Sequence, residues 1–194
     1  FVNQKGDAYL SQAYAQLKHR FSNKFSINIG AHAQHFSYTN DFVVEPRAGL
    51  KYALTGRSSI TVGYGIHHQM QNIYNYFIET PTEKGIELTN KDMGFTKSDH
   101  YVLGYDINVT EQVRIKVETY YQQLSKVPVN SYSSSYSSLN DGLSFAPSDV
   151  TNLVNKGTGT NYGVELTLER YLNRGFYFLI TGSVFDSKYK GSDG

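Results

Sequence analysis

Histidine pairs are the first candidates for chemistry in this chain, because two imidazoles at the right spacing bind a metal ion. His67 and His68 are adjacent, and adjacent residues of a strand point to opposite faces, so this pair cannot chelate one ion. His32 and His35 differ by three positions and fail for the same reason. We therefore interpret these histidines as solvated or loop-end residues and predict no metal site.

Acidic pairs and nucleophiles are equally uninformative. Glu165 and Glu169 share a strand face but lie about 13 Å apart along it, which exceeds the spacing of glycosidase carboxylates. The chain has no cysteine, which removes disulfides, thiolate metal sites and cysteine nucleophiles. The segment GTGTNYG lacks the lysine and the following helix that a phosphate loop needs. The sequence predicts neither an enzyme nor a cofactor.

The clearest candidates for ligand binding are the aromatic residues of the segment NIYNYF, namely Tyr74, Tyr76 and Phe77. Their rings could stack on a ligand such as a sugar or a peptide. The alternative is a loop that packs on itself.

Composition and charge favour an all-β chain. The sequence has 17 Tyr, 11 Phe and 17 Gly with no Trp, a profile typical of twisted sheets. Its formal net charge of +1 creates no long-range field for nucleic acid or an anionic membrane surface. Mean hydropathy is −0.45, and no apolar run is long enough for a transmembrane helix. Transmembrane strands keep hydropathy low, so these values do not argue against a barrel.

The elements that position these residues are hairpins, of which Val43 to Gln69 is the clearest. Apolar and polar residues alternate with period two on both of its strands, and Thr55 to Ser58 form the turn. Residues 9–36, 101–119 and 162–185 repeat the plan, giving eight strands of roughly 9 to 12 residues, the length that a tilted strand needs to cross a bilayer. In the third hairpin, a turn at residues 110–112 places Asp106 opposite Lys116 and Asn108 opposite Arg114.

The connections differ in length at the two ends. Short turns are predicted near residues 22–24, 55–58, 110–112 and 172–175. The other connections are Ser37 to Glu45, a loop without regular elements from Met70 to Asp99, and an irregular segment over residues 125–160. Long loops at one end only are typical of outer-membrane barrels. An aromatic girdle is expected beside the short turns, formed by Phe21, Phe25, Tyr52, Tyr171 and Phe176.

Periodicity alone does not say which face meets water, so three architectures stay open. The first is a transmembrane barrel wall with Leu50, Val62, Leu103, Ile115 and Leu166 toward lipid and Arg47, Lys51, Lys116 and Glu165 toward the interior. The second is a soluble β-sandwich that binds carbohydrate through its loops. The third is a complete small barrel of eight strands.

Five segments, taken in order, resemble the barrel of TonB-dependent outer-membrane receptors of Bacteroidota. They are EPRAGLKYALTGRSSITVGYGIHHQMQ, KSDHYVLGYD, RIKVETYYQQLSKVPV, NKGTGTNYGVELTLER and GFYFLITGSVFDSKYKGSDG. The resemblance implies a barrel of about 22 strands with a plug in its lumen. It implies a location in the bacterial outer membrane and ligand-gated import of a nutrient. The implied partners are membrane lipid, the plug, the rest of the barrel, an unidentified extracellular ligand and, through the plug, TonB.

The chain departs from the family pattern in lacking a plug, a TonB box and most of the strands. We therefore expect residues 1–194 to be an antiparallel up-and-down meander, a central-to-late piece cut from a larger barrel. Gating residues cannot be assigned in such a piece. The ligand is not readable either, because siderophore, oligosaccharide, peptide and cobalamin importers share this scaffold.

Overall fold

A computed structural model describes residues 6–141 and 149–194, and these are nearly all strand. In chain order the elements are β1 (Leu10–Arg20), β2 (Phe25–Phe36), β3 (Asp41–Ala53), β4 (Ser58–Gln69), α1 (Ile73–Tyr76), β5 (Glu79–Thr82), β6 (Gly85–Leu88), β7 (Thr96–Asn108), β8 (Val113–Asn130), a 3-10 turn (Ser138–Asn140), β9 (Leu153–Asn173) and β10 (Phe176–Lys190). The prediction of an all-β chain is confirmed.

Eight of the strands form one antiparallel sheet in the order β1-β2-β3-β4-β7-β8-β9-β10, with β5 and β6 as a separate hairpin. Each strand of the sheet pairs with its predecessor among the long strands, so the predicted up-and-down meander is confirmed. Within the described residues all long strands belong to this one sheet, and the two-stranded β5–β6 hairpin is too small to be the second layer of a sandwich, so the sandwich alternative is wrong. There β1 pairs only with β2 and β10 only with β9, which also contradicts a closed barrel of eight strands.

The short turns lie together at one end of the sheet, as predicted. Backbone amides connect each turn to its neighbour: Ala53 N donates to Lys24 O at 2.7 Å, Asn108 N to Arg57 O at 2.8 Å, and Tyr171 N to Gln112 O at 2.8 Å. The last turn has positive φ at Arg174 and Gly175, the backbone conformation that tight two-residue hairpins require.

Aromatic residues lie beside these turns, as predicted, while their position at a membrane interface stays a prediction. The rings of Phe21 and Phe25 stack at 5.5 Å, and Phe25 is the register partner of Tyr52. The Arg170 guanidinium lies 5.4 Å from the centroid of Phe176.

The sheet has two chemically opposite faces, which we call the outer and inner faces. On the outer face Leu50 pairs with Val62, and Val62 with Leu103; their exposed fractions are 40%, 47% and 51%. On the inner face Lys51 pairs with Thr61, Thr61 with Gly104, and Gly104 with Glu118. The predicted segregation of the two residue sets is confirmed, and the apolar set is not packed into a dry interior.

Buried apolar residues occur at the end opposite the turns, where Phe36, Tyr76, Met93, Phe95 and Leu153 form one cluster. They join the ends of β2 and β9 to the loop over residues 70–95. No helix in the described part of the chain is long and apolar enough to cross a membrane.

Three predicted connections are wrong in extent. The loop from Met70 to Asp99 ends before Thr96 and contains α1 and the β5–β6 hairpin, elements of four residues that are too short to show periodicity. The predicted irregular segment over residues 125–160 is too long at both ends, because β8 extends to Asn130 and β9 begins at Leu153, past shifts in register between Leu124 and Pro128. Lys126 there has φ 54°, and such a bulge breaks the alternation. Residues 142–148 of that prediction lie outside the described residues. The connector from Ser37 to Glu45 is only residues 37–40, since β3 begins at Asp41.

Candidate functional site

The aromatic segment NIYNYF lies at the loop end of the sheet, where α1 holds it. The Asn72 side chain caps this single turn by accepting a hydrogen bond from Tyr74 N at 3.1 Å. Tyr74, Tyr76 and Phe77 are neighbours on this turn, but their side chains lie in different environments.

Tyr76 is a core residue with an exposed fraction of 1%. Its ring lies 5.4 Å from Phe36 and 5.9 Å from Tyr38, and its hydroxyl accepts a hydrogen bond from Gln71 N at 3.3 Å. Burial raises the pKa of Tyr76. It offers no surface to a ligand and instead anchors the loop.

Tyr74 and Phe77 are half-buried and keep accessible ring surface. The Tyr74 hydroxyl donates a hydrogen bond to Asp149 in the loop before β9, and this bond raises the pKa of Tyr74. Phe77 meets Tyr38 edge to face at 4.9 Å. The segment therefore packs on itself through Tyr76 while presenting the other two rings.

Asn90 joins the two long loops. It is fully buried; its Nδ2 donates to Val150 O at 2.8 Å and its Oδ1 accepts from Leu153 N at 2.9 Å. Asn155 forms a second connection, because its Oδ1 accepts from Gly94 N at 2.8 Å. No pattern in the sequence signals this role of Asn90.

A buried carboxylate lies beneath the loops on the inner face. Glu45 has an exposed fraction of 1% and accepts hydrogen bonds from Gln34 Nε2 at 2.7 Å, Arg47 at 2.7 Å and the His68 amide at 2.5 Å. His32 Nδ1 lies 2.8 Å from the same carboxylate. These contacts tie β2, β3 and β4 together at their loop ends.

The Glu45 contacts correct our interpretation of two histidines. His32 and His68 are not solvated or loop-end residues, because both rings face Glu45, with His68 Nδ1 at 3.5 Å. The pairing of β2 with β3 and the approach of β4 create this arrangement, which spacing within one strand cannot reveal. No group of three metal-ligating side chains occurs among residues 6–141 and 149–194.

Charged residues nearer the turns form paired networks across the inner face. Arg114 contacts Asp106 on β7 and lies 3.2 Å from Glu169 on β9. Lys116 lies 2.5 Å from Glu118. Glu169 is thus an ion-pair partner, and the arrangement gives a wall of paired charges.

A hollow of about 600 Å³ lies between β1, β2 and β3. Its floor includes Gly30 and Gly49, and its polar border includes Gln16, Asn28, His32 and Arg47. A side chain at position 49 would meet no atom closer than 4.0 Å. The inner face is therefore open and polar below the loops.

Comparison with known proteins agrees with this architecture. The family model described as "TonB dependent receptor-like, beta-barrel" matches residues 2–193. No curated protein sequence gives a significant match.

Solved structures share the fold at low sequence identity. The siderophore receptor PirA from Pseudomonas aeruginosa is 12% identical with a TM-score of 0.69, over 93% of this chain and 34% of that one. The FrpB iron transporter from Neisseria meningitidis is 12% identical with a TM-score of 0.65, over 94% and 26%. The RagAB peptide importer is 13% identical with a TM-score of 0.67, over 93% and 22%. The chain thus spans about a third or less of the length of these proteins.

Proposed function

Since the chain belongs to the TonB-dependent receptor-like β-barrel family, a family of outer-membrane proteins, we propose that it is part of the wall of a receptor that imports a nutrient by ligand-gated transport. The observation that supports this most directly is the chemical difference between the outer and inner faces of the sheet. The outer face exposes rows of apolar side chains, and the inner face carries paired charges and an open polar hollow. A wall between lipid and an aqueous lumen needs this division.

In this proposal residues 1–194 are one section of a barrel of about 22 strands. The remaining strands and a plug belong to the rest of the parent protein, and TonB acts on the plug. The free edges of β1 and β10 then pair with neighbouring strands of the same barrel. A source in the Bacteroidota is part of the proposal and rests on the five sequence segments alone.

The ligand in this proposal meets the loop end, where Tyr74 and Phe77 present half-buried rings on a segment anchored by Tyr76. Because the similar structures are named for siderophore, iron and peptide, the shared fold does not select a cargo. Ring surfaces favour an organic ligand with a flat or apolar face, such as a sugar or a peptide.

Growth of the source bacterium tests the transport proposal. A strain without the parent gene is compared with its parent on ferric siderophores, cobalamin, oligosaccharides and peptides, each as the growth-limiting nutrient. We expect a defect on one class, the same defect on inactivation of TonB, and recovery with the restored gene. Two results contradict transport. One is normal growth of the strain without TonB on the nutrient class that the deletion strain cannot use, and the other is normal growth of the deletion strain on the whole panel.

Substitution tests the loop candidates separately, with the nutrient identified by growth as the probe. Tyr74→Ala and Phe77→Ala should each weaken its binding about tenfold, which corresponds to about 1.4 kcal/mol. Tyr74→Phe should bind nearly normally, because it keeps the ring and loses only the bond to Asp149. Tyr132→Ala, which removes another loop aromatic with 68% exposure, is the matched control. Equal effects of Tyr132→Ala and Tyr74→Ala would refute a specific role for this segment.

A further inference from the structure

Four ring side chains cross the inner face of β4, β7, β8 and β10 on a diagonal, and we call them the ring row: His67, His100, Tyr120 and Phe185. The ring of His100 lies 6.3 Å from that of His67 and 6.2 Å from that of Tyr120, both edge to face. Tyr120 and Phe185 are the two register partners of Gly163 on β9. A Cβ atom at Gly163 would lie 2.9 Å from the Tyr120 hydroxyl. Because the glycine has no side chain, Tyr120 reaches across β9 toward Phe185.

Uncharged polar side chains form a second line beside the ring row, and we call it the amide chain: Ser98, Gln122, Asn161 and Ser187. Gln122 Nε2 donates to Ser98 Oγ at 2.8 Å, Asn161 Nδ2 to Gln122 Oε1 at 2.8 Å, and Ser187 Oγ to Asn161 Oδ1 at 2.5 Å. These bonds connect β7, β8, β9 and β10 on the inner face. Each amide group uses one of its two N–H donors in them, so each has a donor left for a ligand.

The part of the inner face that carries the ring row and the amide chain is free of formal charge. The charged pairs nearer the turns end at the level of Glu118 and its register partner Glu165. From there to the register pair of Leu124 and Gly159, the described inner-face positions of β4 and β7 to β10 hold no Asp, Glu, Lys or Arg. This surface can therefore offer ring faces and neutral hydrogen-bonding groups, but no ion pair.

We propose that the ring row and the amide chain bind a neutral saccharide on the inner face. The inference rests on the proposed transport function and names the class of ligand that is carried. A sugar packs its C–H faces on flat rings and exchanges hydrogen bonds between its hydroxyls and amide groups. An anionic ligand or a charged peptide would lose its hydration here without gaining an ion pair. The nearest guanidinium on β3, that of Arg47, is already paired with Glu45 at 2.7 Å.

The position of these side chains suits a ligand that enters from the loops. His100 lies four residues from Thr96, where β7 begins at its loop end. The ring row is therefore on the loop side of the charged pairs, at the end of the sheet where Tyr74 and Phe77 present their rings. A saccharide that leaves the loop aromatics would meet the ring row next.

Calorimetric titration of the intact receptor that contains this chain tests the inference. The receptor is purified in lauryldimethylamine oxide, a detergent without a sugar headgroup, and titrated with neutral hexasaccharides of glucose, xylose, mannose and galactose and with hexagalacturonate. We expect at least one neutral hexasaccharide to bind, and hexagalacturonate to bind at least about tenfold more weakly. Tyr120→Ala and His100→Ala should each weaken binding of the neutral hexasaccharide about tenfold. Tyr120→Phe should bind it nearly normally, because this variant keeps the ring.

Tyr121→Ala is the matched control, since it removes the next residue of β8, whose ring lies on the outer face with 44% exposure. It should bind the hexasaccharide normally, and heat-dependent migration on gels verifies that all variants are folded. Three results overturn the inference: no binding of any neutral hexasaccharide, equal binding of hexagalacturonate, or equal losses in Tyr120→Ala and Tyr121→Ala.

Failure of this inference is distinguishable from failure of the transport proposal. TonB-dependent growth on a siderophore or a peptide, by a receptor that binds no hexasaccharide, overturns the saccharide site and leaves transport standing. Hexasaccharide binding that Tyr120→Ala weakens, in a receptor whose loss leaves growth normal on the whole panel, supports the site and contradicts transport alone.

Discussion

Asp106 lies directly opposite Lys116 in the register of β7 and β8, yet its carboxylate pairs with Arg114. Two nitrogens of the guanidinium contact the same Asp106 oxygen, and a third lies 3.2 Å from Glu169 on β9. Arginine favours this arrangement because its planar fork serves two carboxylates at once. Lys116 is left to pair with Glu118 on its own strand.

A double-mutant cycle measures the cross-strand pair. Asp106→Asn and Arg114→Gln should show a coupling of about 1 kcal/mol in the free energy of unfolding, reduced by salt, because both side chains are partly solvated. The Lys116 and Glu118 cycle is the control and should give less, since that pair connects no strands. Equal coupling energies in the two cycles would show that the contacts of Arg114 with β7 and β9 add nothing to the stability of the sheet.

Substitutions at two neighbouring positions of β8 test whether the two faces of the sheet have different environments. Ile115→Arg should lower the free energy of unfolding in liposomes by about 2 to 4 kcal/mol if position 115 lies near the midplane, because hydrocarbon does not solvate a guanidinium. Lys116→Gln should change it by about 1 kcal/mol or less. Urea titration of the refolded receptor supplies both values, and a similar cost at both positions would mean that the faces do not differ in environment.

The sequence predicts the structural features that depend on residues close together in the chain, and it does not predict those that depend on contacts between distant segments. Alternation places Leu50 and Val62 on one face, and the length of the turn at residues 110–112 fixes the pairing of Asp106 with Lys116, because both are local. The buried role of Asn90 and the contacts of Glu45 with His32 and His68 depend on pairing between distant segments. The bulge at Lys126 conceals the full length of β8, since one extra residue reverses the alternation.

Gly157 pairs with Val127 near the loop ends of β8 and β9, at a place where the strands leave no room for a side chain. A Cβ atom there would lie 2.9 Å from Val127 O and would clash with the Val129 side chain. Gly157→Ala should therefore destabilise this extension by about 1 to 3 kcal/mol and speed trypsin cleavage after Lys126 and Lys156. Gly63→Ala is the control, because its Cβ would lie an ordinary 3.7 Å from Val102. Unchanged cleavage in Gly157→Ala would show that the strands move apart at no cost.

Asn90→Leu should separate the two long loops. The change leaves Val150 O and Leu153 N without their partner, at a cost of about 1 to 3 kcal/mol, and hydrogen exchange at the Leu153 amide should accelerate accordingly. Asn140→Leu, at an exposed loop position, should leave this exchange rate unchanged. If the Leu153 amide stays fully protected in Asn90→Leu, the asparagine does not hold the loops together.

The most direct test of the barrel wall is the environment of its two faces in the membrane. The chain has no cysteine, so single cysteines at Val62, Leu166, Thr61 and Thr167 can carry nitroxide labels in the reconstituted receptor, once any cysteine elsewhere in it is replaced. Labels at Val62 and Leu166 should collide with oxygen dissolved in lipid and be shielded from a water-soluble nickel complex. Labels at Thr61 and Thr167 should show lower oxygen collision rates and greater access to nickel. Equal accessibility at adjacent positions, or the reverse pattern, would contradict a wall with lipid on one side and an aqueous lumen on the other.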